Sequence, residues 1–275
     1  MEIFVKVISN TLLVIAICAV LPAHAQDALT VNFSDPSRPG LLKVNIFNGG
    51  IVVRTHPGRE VIIDSKSSSN QNRTSPFGPP DGLRRIDSNA TGLTVEEENN
   101  VMTVTARNFS RSGDLEIQVP VKTNLNLRTM NGGEIVVDGV EGEIEATHMN
   151  GAVSLNNVAG SVVAHSMNGR VMVGLREITP NKSMSFTSMN GDVDITLPPA
   201  TKANLKMRTD NGEIRSDFEI QLRPISPPTV EDSRNRGAGN LRIQTGKTTN
   251  GTINGGGPDV DLRTLNGNVY IRKGK

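Results

Sequence analysis

Asp192, Asp194 and Glu213, with Arg170 and Arg215 nearby, are the residues whose types and spacing come closest to catalytic machinery. Each sits one or three positions after an Asn-Gly pair. On neighbouring turns of a stacked β scaffold, such carboxylates could cleave an acidic polysaccharide. They would act as an inverting-glycosidase pair, as a Ca²⁺ cluster, or together with a basic residue that abstracts a proton. The same spacing places Arg170 beside Asp192 and Asp194 beside Arg215. Opposite charges on adjacent strands are the ordinary solution for a solvated sheet, each pair contributing only about a few tenths of a kcal/mol. A lyase or hydrolase site wants uncompensated carboxylates, so these five residues are the weaker candidate, a glycan site, and no catalytic residue is assigned.

Met130, Met149, Met167 and Met189 form a second constellation, each directly preceding an Asn-Gly pair. Thioethers are soft and adaptable, so a methionine stripe can receive an apolar partner surface, or hold Cu⁺ together with His148 and His165. Asp210 and Leu265 occupy the same position in weaker copies, and the histidines lack metal-ligand spacing. The four methionines are therefore read as corner side chains that present a partner-facing edge, and no metal or cofactor is expected.

The elements that position these residues follow from an internal repeat. Met-Asn-Gly ends at Gly132, Gly151, Gly169 and Gly191, and weaker copies stand at Asn211-Gly212, Asn250-Gly251 and Asn266-Gly267. Successive pairs lie 19, 18, 22, 21, 39 and 16 residues apart. A period near twenty means stacked coils. After each pair, period-two alternation predicts Ile135, Val153, Val171, Val193, Ile214, Ile253 and Val269 inward, one above the other at about 4.8 Å per coil. Asn-Gly is expected at each corner because both residues tolerate positive φ, and the asparagine amides are expected to stack as a ladder.

The repeat predicts an all-β protein: a parallel, β-helix-like solenoid of six or seven coils over residues 131–275, with a β-rich N-terminal section over 26–130 that caps and continues it. A polar stretch rich in Ser, Asn, Pro and Gly makes 65–92 a long surface loop, and the spacing of 39 contains an insertion at 223–239. The last strand runs into Arg272-Lys273-Gly274-Lys275, whose charge would protect a terminal edge. A monomer capped on both sides is expected.

Composition narrows the function classes. Lys6, an apolar run over 12–21 and Ala23-His24-Ala25 read as a secretory signal peptide over 1–25, removed on export, with no transmembrane span afterwards. The single cysteine, Cys18, lies within it, so the mature chain has no disulfide to rely on. A net charge of +1 with scattered Lys and Arg offers no footprint for nucleic acid. With no Trp and one Tyr, the chain also lacks sugar-stacking platforms. There is no nucleophile elbow, and Gly255-Gly256-Gly257 leads into a strand rather than a helix that could bind phosphate.

The order Val119-Pro120, Leu125-Asn126-Leu127-Arg128-Thr129-Met130-Asn131-Gly132, serial Asn-Gly coils, Ser216-Asp217-Phe218, Gly255-Gly256-Gly257-Pro258 and Leu262-Arg263-Thr264-Leu265-Asn266-Gly267 resembles the bacterial β-strand-repeat family labelled putative adhesin. The resemblance covers roughly residues 29–273. It implies a β-solenoid of the cell envelope, in the periplasm or at the surface, with no assigned catalytic residues. The function expected from the residues and the resemblance is a non-enzymatic module that binds an envelope protein or glycan; a polysaccharide lyase or hydrolase and a purely structural spacer are the alternatives.

Overall fold

A computed structural model of the chain describes residues 28–67, 92–106, 113–223, 229–232, 241–244 and 248–275. The signal peptide expected at 1–25 and residues 68–91 of the polar loop lie outside the described residues. Within them the protein is all-β, with no helix. The strands are β1 (Leu29–Asn32), β2 (Gly40–Asn48), β3 (Ile51–His56), β4 (Glu60–Ser67), β5 (Leu93–Glu98), β6 (Val101–Ala106), β7 (Gly113–Pro120), β8 (Thr123–Asn131) and β9 (Ile135–Asp138). They continue with β10 (Glu141–Asn150), β11 (Val153–Ser166), β12 (Val171–Ile178), β13 (Met184–Asn190), β14 (Val193–Leu197), β15 (Ala203–Asn211) and β16 (Ile214–Ser216). The last are β17 (Gln221–Leu222), β18 (Thr229–Asp232), β19 (Leu241–Gln244), β20 (Thr249–Ile253), β21 (Asp259–Asn266) and β22 (Val269–Lys273).

The ladders form two runs that meet at β11. Its N-terminal part pairs with β9 and its C-terminal part with β10, and a register shift around Asn157, at φ 51°, turns the strand between them. In hydrogen-bonding order the first run is β5, β6, β2, β8, β10, β11, β13, β21, β15, β20, β17. The second is β1, β4, β7, β3, β9, β11, β12, β14, β22, β16. Pairing is parallel from β6 to β15 and from β7 to β16, and antiparallel at the flanks, through β5, β20 and β17 in one run and β4 and β1 in the other.

Alternation buries one face of each run. Leu115, Ile51, Ile135, Val153, Val171, Val193 and Val269 stand in register and are fully buried. Facing inward from the other run, Val104, Val44, Leu127, Ala146, Ala164, Phe186, Leu262 and Met207 do the same. Each fully buried aliphatic side chain of this size contributes about 1.5–3 kcal/mol, so this stack of aliphatic rows holds the runs together.

The order in space departs from serial coils at both ends. The pair β2 and β3 is inserted between β6, β7 and β8, β9, and the pair β21 and β22 between β13, β14 and β15, β16. The expected inward column is thereby corrected: Val269 follows Val193 and precedes Ile214, whereas Ile253 lies in antiparallel β20 opposite Ala203. Asn250-Gly251 is likewise no corner, because it sits inside β20. Arg272 and Lys273 do not protect a terminal edge, since β22 is flanked on both sides. Within the expected insertion at 223–239, β18 opens a hairpin with β19.

Candidate functional site

Six corners between the first run and the second are built from one short sequence, a Thr, Ser or His at 129, 148, 166, 188, 209 or 264, then an outward residue, then Asn-Gly, whereas the corner at Phe47-Asn48-Gly49 has Ile46 in the first place. The hydroxyls of Thr129, Ser166, Ser188, Thr264 and Thr209 point into the corner and donate to the carbonyls of Gly49, Gly151, Gly169, Gly191 and Gly267 on the neighbouring coil, at 2.8–3.0 Å. A buried hydroxyl without such an acceptor would be costly. Outside it, Asn150, Asn168, Asn190, Asn266 and Asn211 each donate Nδ2 to Oδ1 of the previous asparagine in the stack, at 2.7–2.8 Å, beginning with Asn131. The ladder expected from sequence is present.

At Gly49 and Gly132 glycine has positive φ, 108° and 75°, as expected, but at most of the other corners the reason differs. None of the six ladder asparagines has positive φ, and neither do Gly151, Gly169, Gly191 or Gly212. What excludes a side chain is close stacking of glycine on glycine: a Cβ on Gly169 would meet Gly151 O at 2.2 Å, and one on Gly191 would meet Gly169 O at 2.3 Å.

This register lines up the residue before each Asn-Gly. Phe47, Met130, Met149, Met167, Met189 and Leu265 occupy one position at the ends of six successive strands of the first run. At about 4.8 Å per strand they span about 24 Å. Phe47 is 55% exposed, Met130 36%, Met149 37%, Met189 44% and Leu265 41%, with Met167 half-buried among them. Asp210, bonded to Arg208 at 3.2 Å, follows Leu265 and ends the ridge with charge. The repeat seen in sequence takes in the four methionines but not Phe47, although Phe47-Asn48-Gly49 shares its apolar residue and Asn-Gly, with Ile46 in place of a Thr, Ser or His. Nor could it place Leu265 beside Met189, because that contact depends on the insertion of β21.

The carboxylates are brought together only in part. Arg170 reaches Asp192 at 3.6 Å, as the spacing predicts, and Asp192 also accepts the backbone N–H of Asn268 at 2.8 Å. Asp194 does not stand beside Arg215, a correction that follows from β22: Tyr270 lies between them, and Arg272 takes Asp194 in a two-pronged bond at 2.8 and 2.9 Å. Arg215 turns instead to Glu213, at 2.6 Å. All three carboxylates are thus held by a guanidinium on the sheet surface.

The two histidines of the stack face opposite ways. His148 takes the place of a corner hydroxyl and is fully buried. Its Nδ1 accepts the N–H of Asn150 at 3.1 Å, which leaves the proton on Nε2, 3.3 Å from Gly133 O. Burial holds its pKa below the usual imidazole value. His165 lies on the outer face, with Nδ1 2.7 Å from Thr187 Oγ1. Among the described residues no group of three or more His, Cys, Asp and Glu is arranged to hold a metal ion, and no helix is long and apolar enough to cross a membrane.

Two solved structures are similar over 90% of this chain. One, named "putative cell adhesion protein", comes from Clostridium sporogenes, is 10% identical, is covered in full and has a TM-score of 0.41. The other, a "putative adhesin" from Bacteroides fragilis, is 11% identical, is covered over 98% and has a TM-score of 0.33. No curated protein matches the chain. A family model described as Toastrack DUF4097 matches residues 81–272, well over half of the sequence, and with it the resemblance read from the Asn-Gly coils is borne out. The chain belongs to the Toastrack DUF4097 family.

Proposed function

We propose that this protein is a non-enzymatic, adhesin-like module of the cell envelope, exported by its N-terminal segment, whose β-solenoid serves as a rigid scaffold for one binding edge. The edge is the corner of Met130, Met149, Met167 and Met189, extended by Phe47 and Leu265. The observation that carries this reading is the continuity of six apolar side chains on six consecutive strands of the first run, most of them exposed. Core packing does not need them there, since the core is filled from the inward rows. A linear ridge bordered by the asparagine ladder supplies an apolar centre with a polar rim, the arrangement of an ordinary recognition surface. Its occupant is an envelope protein or glycan, met by a monomer.

A non-enzymatic role is supported by Asp192, Asp194 and Glu213, each engaged by an arginine rather than left to act on a substrate. Charge reversal on the ridge tests the proposal: the double variant Met149→Glu, Met189→Glu is expected to fold as the wild type does and to lose its envelope partner in pull-downs from cells. Unchanged recovery of that partner would overturn the proposal.

A further inference from the structure

We propose that the middle of the ridge is a soft-metal site for Cu(I), formed by the thioethers of Met149, Met167 and Met189 with Nε2 of His165. Register brings the ligands together. His148 pairs with Ser166 and Ser166 with Ser188, so the methionines that follow them lie on three adjacent strands; Asn168 N–H donates to Met149 O and Asn190 N–H to Met167 O, which fixes the alignment through the corner. Adjacent strands stand about 4.8 Å apart. Sulfur atoms around one four-coordinate metal at about 2.3 Å lie about 3.8 Å apart, so the Met149 and Met189 thioethers must lean toward Met167 from strands about 9.6 Å apart. Three rotatable bonds let each methionine close the remaining gap.

His165 supplies the nitrogen. Val163 and His165 share the outer face of β11, and Met167 follows the strand's last residue, Ser166, into the corner on the side of His165. Its Nδ1 is held by Thr187 on the adjacent strand, and a proton on Nδ1 leaves the Nε2 lone pair for a metal. A hydrogen bond on the far ring nitrogen is how ligating histidines are commonly oriented. Among the described residues no protein group is hydrogen-bonded to Nε2. His148, by contrast, is excluded, because both of its ring nitrogens are used inside the corner.

The donor set selects the ion. Three neutral thioethers and one imidazole suit a soft monovalent cation, whereas Ca²⁺ and Mg²⁺ require oxygen ligands.

The test uses the isolated full-length mature chain and Cu(I) presented anaerobically as its coloured bicinchoninate complex. Wild type is expected to withdraw about one equivalent of Cu(I), with sulfur and nitrogen scatterers in the X-ray absorption spectrum. Met167→Leu and His165→Gln are each expected to weaken binding by at least about tenfold, while Met172→Leu, on β12 of the other run, leaves it unchanged. Leucine preserves side-chain volume, and thermal unfolding of each variant checks that the fold is retained. Failure of wild type to bleach the complex, retention of full affinity by folded Met167→Leu, or an absorption spectrum without sulfur would overturn the proposal. Because no envelope component is present, the outcome is separate from whether a partner docks on the ridge.

Discussion

Asn266 donates its side-chain amide to Oδ1 of Asn190 at 2.7 Å, across 76 residues of chain. Asn211, which precedes Asn266 in sequence, follows it in space and donates to it at 2.8 Å. The ladder therefore records the true strand order: β21, which carries the last Asn-Gly pair, is held between the earlier β13 and β15. It also places Leu265 against Met189 and lengthens the apolar edge. Several consequences are open to measurement.

Because β21 and β22 lie between β13, β14 and β15, β16, the C-terminus is structurally central. A chain ending at Pro258 is expected to be insoluble or to lack a cooperative thermal transition, since it exposes long unpaired strand edges. In a stack laid down strictly in chain order, the same truncation would remove only the outermost coil. A soluble, cooperatively unfolding fragment would contradict the insertion.

Gly191→Ala places a methyl 2.3 Å from Gly169 O, so the two coils must part. A loss of about 1–3 kcal/mol is expected from such overpacking, seen as a drop of about 2–4 °C in Tm per kcal/mol for a chain of this size. Gly174→Ala is the control: its nearest atoms lie 3.8 Å away, and its stability is expected to stay near wild type. Equal effects at the two sites would dismiss close stacking as the reason for glycine.

His148 makes stability depend on pH in a predictable sense. Burial lowers its pKa in the folded state, so the unfolded chain binds the proton more readily below about pH 6.5. Its contribution is complete above that value and is lost as the pH falls toward the depressed folded pKa. His148→Ser restores the hydroxyl found at equivalent corners. The variant is expected to lose less Tm than wild type between pH 7 and pH 5; parallel Tm profiles would rule out His148 as the source.

Asp192 accepts the N–H of Asn268 and pairs with Arg170. Asp192→Ala is expected to cost about 0.5–1.5 kcal/mol in chemical denaturation, the range of one hydrogen bond. Acidic polysaccharides incubated with wild type are expected to release no new reducing ends or unsaturated sugars. Product that disappears in Asp192→Ala would instead establish a glycan-cleaving site.

The Asn-Gly period revealed the all-β class, the parallel rows after each corner, the asparagine ladder and the methionine alignment, because each depends on neighbours one period apart. Strand insertion left no such signal. Nothing local in Leu265-Asn266-Gly267 distinguishes a coil that ends the stack from one that enters it, so Arg272 could not be foreseen as the partner of Asp194. The glycines illustrate a second limit: Asn-Gly suggests positive φ from local chemistry, yet at Gly169 and Gly191 the constraint comes from a glycine on another coil. His148 and His165 look alike in sequence, and only the alternation of their strands separates a buried hydroxyl substitute from an outward ligand.

In-cell crosslinking from a photoreactive residue placed singly at Met149, Met189 or Leu265, with Asn181 and Pro199 as sites away from the ridge, tests the binding edge most directly. One envelope component captured at all three ridge positions and at neither of the others is the predicted result. The same background at every position, or a partner captured only away from the ridge, would contradict it.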